Sequence, residues 1–118
     1  MRGELWWADF GIPFGSEPGF KRPILIVQND LFNISKINTA IVIPLTTNLL
    51  LAEAPGNIFI AKKESKLKND SVITVSQITA VDRQRIIEKI TKLDRAIMEK
   101  VDNNMMFILG INKIIRNV

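Results

Sequence analysis

Gly15-Ser16-Glu17-Pro18-Gly19-Phe20-Lys21-Arg22-Pro23 is the stretch on which the reading of this 118-residue chain turns. Its two glycines and two prolines make it a shaped loop rather than a slack one. It lies between two runs that read as β-strands, and it delivers Arg22 to the mouth of the second. Arginine stays charged and offers five donors in a planar fork, which suits phosphate. A hydroxyl pair further on, Thr46-Thr47, suits the same ligand.

Outward from this loop, residues 3–10 are aromatic and partly alternating and predict strand one. Residues 23–28 (Pro-Ile-Leu-Ile-Val-Gln) predict a short strand buried on both faces, with Pro23 at the start, where a strand tolerates it. Residues 31–38 are a connector with one helical turn. Residues 39–47 predict strand three, and Pro44 within it predicts a sheet edge or bulge that re-aims Thr46 and Thr47. A loop with an exposed Leu49-Leu50-Leu51 leads to strand four at 57–61, a basic turn at 62–68 and strand five at 70–78. The period then changes. Asp82 is read as the N-cap of a short helix over 83–90, and Asp94 as the cap of a longer one with Ile97, Val101, Met105 and Ile108 on its apolar face. The fold class expected is mainly β with a C-terminal helix, a small twisted sheet or partly open barrel. One domain is expected over residues 1–118.

Composition narrows the chemistry. The chain has no His, Cys or Tyr, so a Ser-His-Asp triad, a thiolate nucleophile and a His/Cys zinc site are ruled out. No apolar run approaches the ~20 residues of a membrane span, and Met-Arg-Gly-Glu-Leu-Trp-Trp has no signal-peptide core. A cytoplasmic location without disulfides is expected. The net charge of +4 is uneven: residues 1–60 hold four Lys/Arg against five Asp/Glu, and residues 61–118 hold twelve against seven. That balance permits a polyanion partner and equally permits solvated surface lysines.

The assembled pieces resemble the MazF/PemK family of bacterial toxin endoribonucleases over about residues 3–112. The opening Gly3-Glu4-Leu5-Trp6-Trp7-Ala8-Asp9 matches that family's first strand. The loop Gly15-Ser16-Glu17-x-Gly19-x-x-Arg22-Pro23, then Val27-Gln28-Asn29-Asp30 and Ile43-Pro44-Leu45-Thr46, match its next motifs. Ala54-Pro55-Gly56-Asn57, Asp70-Ser71-Val72, Val75-Ser76-Gln77-Ile78, Val81-Asp82 and the Met98 to Asp102 helix follow in order. One departure, Pro18-Gly19-Phe20-Lys21 where many members carry a double glycine, bears on which RNA sequence the loop accepts.

The resemblance implies an SH3-like barrel assembled as a homodimer. It implies metal-independent, sequence-specific cleavage of single-stranded RNA, chiefly mRNA, to 2′,3′-cyclic phosphate and 5′-hydroxyl ends, with no cofactor. It also implies a MazE-like cognate antitoxin as partner and no membrane. The family's catalytic arginine falls on Arg22 and its catalytic threonine on Thr46, while Ser16 and Gln77 fall on RNA-contacting positions. Glu17, Lys21, Thr47, Asn48 and Ser76 are placed beside them as RNA contacts, with Phe14 and Phe20 as stacking candidates. Plainer readings stand alongside: Arg22 as a surface ion pair with Glu17, Thr46 and Thr47 as strand-end residues satisfying backbone groups, Phe14 and Phe20 as loop packing, and Lys62, Lys63, Lys66 and Lys68 as a solvated turn. Two rival functions also stand, a non-enzymatic toxin poisoning a protein such as DNA gyrase and an RNA-binding module without turnover.

Overall fold

Alternation along three strands builds a sheet that is covered on both faces. The computed structural model describes residues 1–11 and 21–111; Phe14, Ser16, Glu17 and Phe20, and the tail from Lys113 to Val118, lie outside them. In β1 (Glu4–Asp9), Leu5 turns to one apolar cluster, and Trp6 and Ala8 turn to another. β2 (Lys21–Ile26) divides Leu25 from Ile24 and Ile26 in the same way, and β3 (Thr39–Thr46) divides Ile43 and Leu45 from Ala40 and Val42. The period of two sends alternate side chains to opposite faces. A strand with both faces covered therefore reads as an unbroken apolar run, as residues 23–28 do.

A single turn, α1 (Asp30–Asn33), joins β2 to β3, capped by the Asn29 side chain accepting from Leu31 N–H. β4 (Ile58–Ile60), α2 (Lys62–Ser65), β5 (Ser71–Ile73), β6 (Thr79–Asp82), β7 (Ile86–Lys92) and α3 (Arg95–Leu109) complete the order. Among the described residues seven strands pair antiparallel in the order β4-β5-β3-β2-β1-β7, with β6 also on β3. The two ends of this order are not paired with one another, so the barrel is open. α3 lays Ile97, Met98, Val101, Met105 and Ile108 on the larger cluster, with Val101 fully buried. It ends at Gly110 in the left-handed region (φ 73°), where glycine carries no steric penalty. Among the described residues no helix is long and apolar enough to cross a membrane.

Three expectations are corrected. Residues 83–90 are not a helix: Asp82 does cap, accepting from Gln84 N–H at 2.8 Å, but the chain makes one 3₁₀ turn over Arg83–Arg85 and continues as β7 against β1. The free edge of β1 supplies ladder partners, and pairing overrides the local helical spacing. The fifth strand ends at Ile73, because Thr74 donates both its N–H (3.0 Å) and its hydroxyl (2.6 Å) to Pro44 C=O and a 3₁₀ turn follows over Val75–Gln77. Pro44 is not on a sheet edge. β3 is central, and Pro44 sits where its neighbour changes from β6 to β5. The missing N–H falls at that break in the ladder.

Candidate functional site

The antiparallel register sets Arg22 opposite Ala8 on β1, one step along from the Trp7–Pro23 pair. From β2 its guanidinium reaches across to the end of β3, where Nη2 donates to Leu45 C=O at 3.2 Å. That bond brings Arg22 beside the next residue, Thr46. The Thr46 Oγ1 accepts from Asn48 N–H at 3.2 Å. An oxygen held this way keeps its own proton for another acceptor. Thr74 anchors Pro44 two residues upstream, which steadies this strand end.

These groups open onto a cleft of about 490 Å³ whose walls include Trp7, Lys21, Arg22, Thr46, Thr47, Lys68, Asn69 and Ser71. Its ionisable lining is cationic: Lys21, Arg22 and Lys68. Arg22 is half-buried, and burial pushes its guanidinium below the usual arginine range. Among the described residues no carboxylate pairs with it. Among the described residues, then, a partly desolvated cation without a carboxylate partner stands beside two hydroxyls, a combination whose chemistry suits an anion. Among the described residues no group of three or more His, Cys, Asp or Glu is arranged to hold a metal.

Of the residues singled out in the sequence, the fold brings Lys21, Arg22, Thr46 and Thr47 into this one cleft. It does not bring Asn48, Ser76 or Gln77 to its walls. Asn48 is occupied as a cap, accepting from Leu50 N–H at 3.2 Å. Ser76 is exposed and tied to Asn57, whose Oδ1 accepts from both its N–H (3.1 Å) and its hydroxyl (3.0 Å). Gln77 is exposed, its Oε1 3.4 Å from Thr74 Oγ1. Phe14, Ser16, Glu17 and Phe20 lie outside the described residues.

Trp7, Asn69 and Ser71 were not legible as wall residues, and Lys68, a candidate for tracking an RNA backbone, read more readily as part of a solvated turn. For Trp7 a signal existed: strands joined across residues 11–20 pair positions whose numbers sum to 30, which places residue 7 against Pro23, beside Arg22. No such arithmetic reaches Asn69, which arrives from a turn far along the chain.

Comparison with known proteins places the chain as a whole. A family model described as PemK-like, MazF-like toxin of type II toxin–antitoxin system matches residues 1–109. The chain is 34% identical over 110 residues to endoribonuclease MazF2 of Mycobacterium bovis, covering 93% of this chain and 96% of that protein. The same figures hold for endoribonuclease MazF6 of Mycobacterium tuberculosis. Among solved structures, the M. tuberculosis toxin MazF-mt6 superposes with a TM-score of 0.75 at 13% identity, over 92% of this chain and 98% of that one. The MazE–MazF structure from Deinococcus radiodurans superposes at 0.72 and 20% identity, over 93% and 95%. At such identities these two structures speak to the fold alone.

Proposed function

This chain belongs to the family of PemK-like, MazF-like toxins of type II toxin–antitoxin systems, it is an endoribonuclease, and we propose that the Arg22–Thr46 cleft is where it cuts single-stranded RNA. The observation that carries the assignment is a half-buried guanidinium, with no carboxylate partner among the described residues, held in one cleft with two threonines.

RNA brings its own nucleophile, the 2′-hydroxyl. Its attack forms the 2′-O–P bond and breaks the P–5′-O bond; the 2′-hydroxyl proton passes to solvent water and the departing 5′ oxygen takes one up from solvent, leaving a 2′,3′-cyclic phosphate and a 5′-hydroxyl. Negative charge grows on the phosphate oxygens as this happens. Arg22 answers that charge, and Thr46 donates the proton that its bond from Asn48 leaves free. Arg22 acts here through its charge, since a guanidinium that stays protonated across practical pH is a poor base. The chemistry needs no metal, because the nucleophile is in the substrate and the cleft's cations meet the phosphate charge.

The same reading makes residues 1–118 a single toxin domain, homodimeric and cytoplasmic, with a MazE-like antitoxin as its partner. A MazE–MazF complex of D. radiodurans and a mycobacterial endoribonuclease with its cognate antitoxin share this fold, which supports the partner. The exposed Phe107, Leu109 and Ile111 at the end of α3 support the dimer. The protein-poisoning alternative draws no support from relatives that are named endoribonucleases.

The test is to incubate the protein with a long single-stranded RNA in EDTA and map the new ends beside Arg22→Ala and Thr46→Ala. Discrete cuts with 5′-hydroxyl ends, lost in both variants, are expected. Intact RNA across varied sequences, or cuts unaffected by either substitution, would overturn the assignment.

A further inference from the structure

The cleft does not stop at Thr47. Thr47 and Asn69 also line an adjoining hollow of about 450 Å³ whose other walls are Leu49, Lys62 and Asp70. The two hollows share Thr47 and Asn69 as a common wall, with Arg22 lining the first and Lys62 the second.

The segment that forms its far wall is built rather than slack. Lys62 N–H donates to Asp70 Oδ1 at 2.9 Å, which closes the segment at its base. Ser65 is fully buried, and its Oγ accepts from Leu67 N–H at 3.1 Å. Lys66 turns the chain out of α2 in the left-handed region (φ 62°), an uncommon conformation for a residue with a side chain. Leu67 then packs against the main core, and Ser71, 2% exposed, donates its hydroxyl to Asn69 C=O at 3.1 Å. Lys68 and Asn69 are thus displayed from a turn whose backbone is pinned, so binding has their side chains but little backbone left to order. Among the described residues neither Lys62 nor Lys68 is paired with a carboxylate. A run of lysines is usually a solvated face. Here Lys68 lines the hollow that holds Arg22, and Lys62 lines the adjoining one.

We propose that this extension is a backbone subsite for the RNA on one side of the cut. Lys68 and Lys62 meet two successive flanking phosphates, while Thr47 and Asn69 form the floor between them. The inference rests on the Arg22–Thr46 reading and adds to it a preference for substrate that extends on one side.

The test crosses substrate with variant. RNA oligonucleotides are shortened one nucleotide at a time from either side of the mapped cut, and kcat/KM is measured against salt for the wild type and the Lys62→Gln/Lys68→Gln protein. For single strands each phosphate contact contributes about 0.7 to the log–log salt slope, so losing two should make it shallower by about 1.4. The wild type should lose kcat/KM as one side is trimmed, and the variant should be indifferent to trimming on that side. Lys63→Gln, which removes a charge from the same turn but lines neither hollow, should keep the wild-type slope and trimming profile. A double variant that cuts with the wild-type slope and profile would overturn the subsite and leave the Arg22–Thr46 site standing. Equal shallowing by Lys63→Gln would overturn it as well, by reducing it to a general field. A wild type that cuts none of these RNAs would overturn both readings together.

Discussion

Arg22→Met should separate activity from stability, and the reason lies in how Arg22 is held. Among the described residues its polar contacts to the fold reduce to one bond, to Leu45 C=O at 3.2 Å. Such a bond contributes about 0.5–1.5 kcal/mol, somewhat more when one partner is charged. Against it stands the desolvation of a half-buried cation with no carboxylate partner in view. That penalty is present at every pH where the guanidinium is charged, which covers all practical conditions. Methionine keeps an apolar stem of similar length and removes both the bond and the penalty. The net change in folding free energy should therefore fall within about 1 kcal/mol, by partial cancellation. Cleavage, by contrast, loses its principal preorganised charge. Removing one such donor typically lowers kcat by ~10²–10³, or about 2.7–4 kcal/mol of transition-state stabilisation.

The assay is single-turnover cleavage of a short RNA containing the mapped site, beside urea unfolding of the same preparations. Arg22→Lys belongs in the series because it keeps the charge and loses the fork, so it should recover part of the lost rate. A refuting result would be an Arg22→Met protein destabilised by more than about 3 kcal/mol, the scale of a broken buried ion pair. That would make the residue a structural ion pair, as an isolated arginine after a loop often is. Activity within tenfold of wild type would refute the reasoning from the other side.

Three further outcomes follow from the same geometry. Thr46→Val keeps the shape of the side chain and removes the donor, so kcat should fall about 10²-fold with little change in KM, and Thr46→Ser should restore most of it; equal rates for Val and Ser would sink the hydroxyl's role. Glu4 is opposed by burial, yet bonds from the Met1 amino group, Lys89 and the Trp6 indole outweigh that and lower its carboxyl from 4.5 to about 2. A lowered folded-state pKa contributes stability that is present above the unfolded value and lost as pH falls through the folded one. The urea midpoint should thus drop between about pH 4.5 and pH 2 in the wild type and less steeply in Glu4→Gln; parallel curves would contradict it. Gly56 adopts φ 88°, and a Cβ there would lie 2.8 Å from Ile108 Cγ1, while Asn104 Nδ2 donates to its carbonyl at 3.0 Å. Gly56→Ala combines left-handed strain with crowding against α3 and should destabilise by about 2 kcal/mol or more in urea unfolding; a neutral change would show that α3 does not seat tightly on this turn.

The legible parts of the fold were those decided locally. The first three strands declare themselves as short aromatic or apolar runs, and Asp94 by its place before an apolar period; its side chain does cap α3, accepting from Ile97 N–H at 2.9 Å. Asp82 caps equally well, yet no α-helix follows it. The sequence Ile86-Ile-Glu-Lys-Ile-Thr-Lys92 carries Ile86 and Ile90 four apart, which suits a helix, and β-branched residues throughout, which suit a strand. Only the open edge of β1 decides between them, and that edge is a tertiary fact. The same division runs through the site. Arg22 and Thr46 were legible because each sits on a strand in a recognisable motif. Asn69 was not, and Lys68 only weakly, because Ser65, Leu67 and Ser71 fix their turn through burial that no local pattern displays.

That division has a chemical counterpart. A chain without His, Cys or Tyr must place its catalytic power in charge and position rather than in a group that titrates near neutrality. Position is what β2 and β3 supply. Arg22 leaves one strand and is tied to the carbonyl beside Thr46 on the next, which sets the guanidinium and the hydroxyl on one strand end. The buried Thr74 makes the same point from behind the site. By donating twice to Pro44 it holds the end of β3 where that strand has just changed neighbours, the place where a sheet would otherwise be loosest. Proline makes the arrangement possible, since a residue with an N–H there would present a donor to the gap in the ladder. Pro44 is thus neither edge nor bulge: its pairing with β2 runs on regularly, and its carbonyl is the point from which Thr74 holds the end of β3 that carries Thr46.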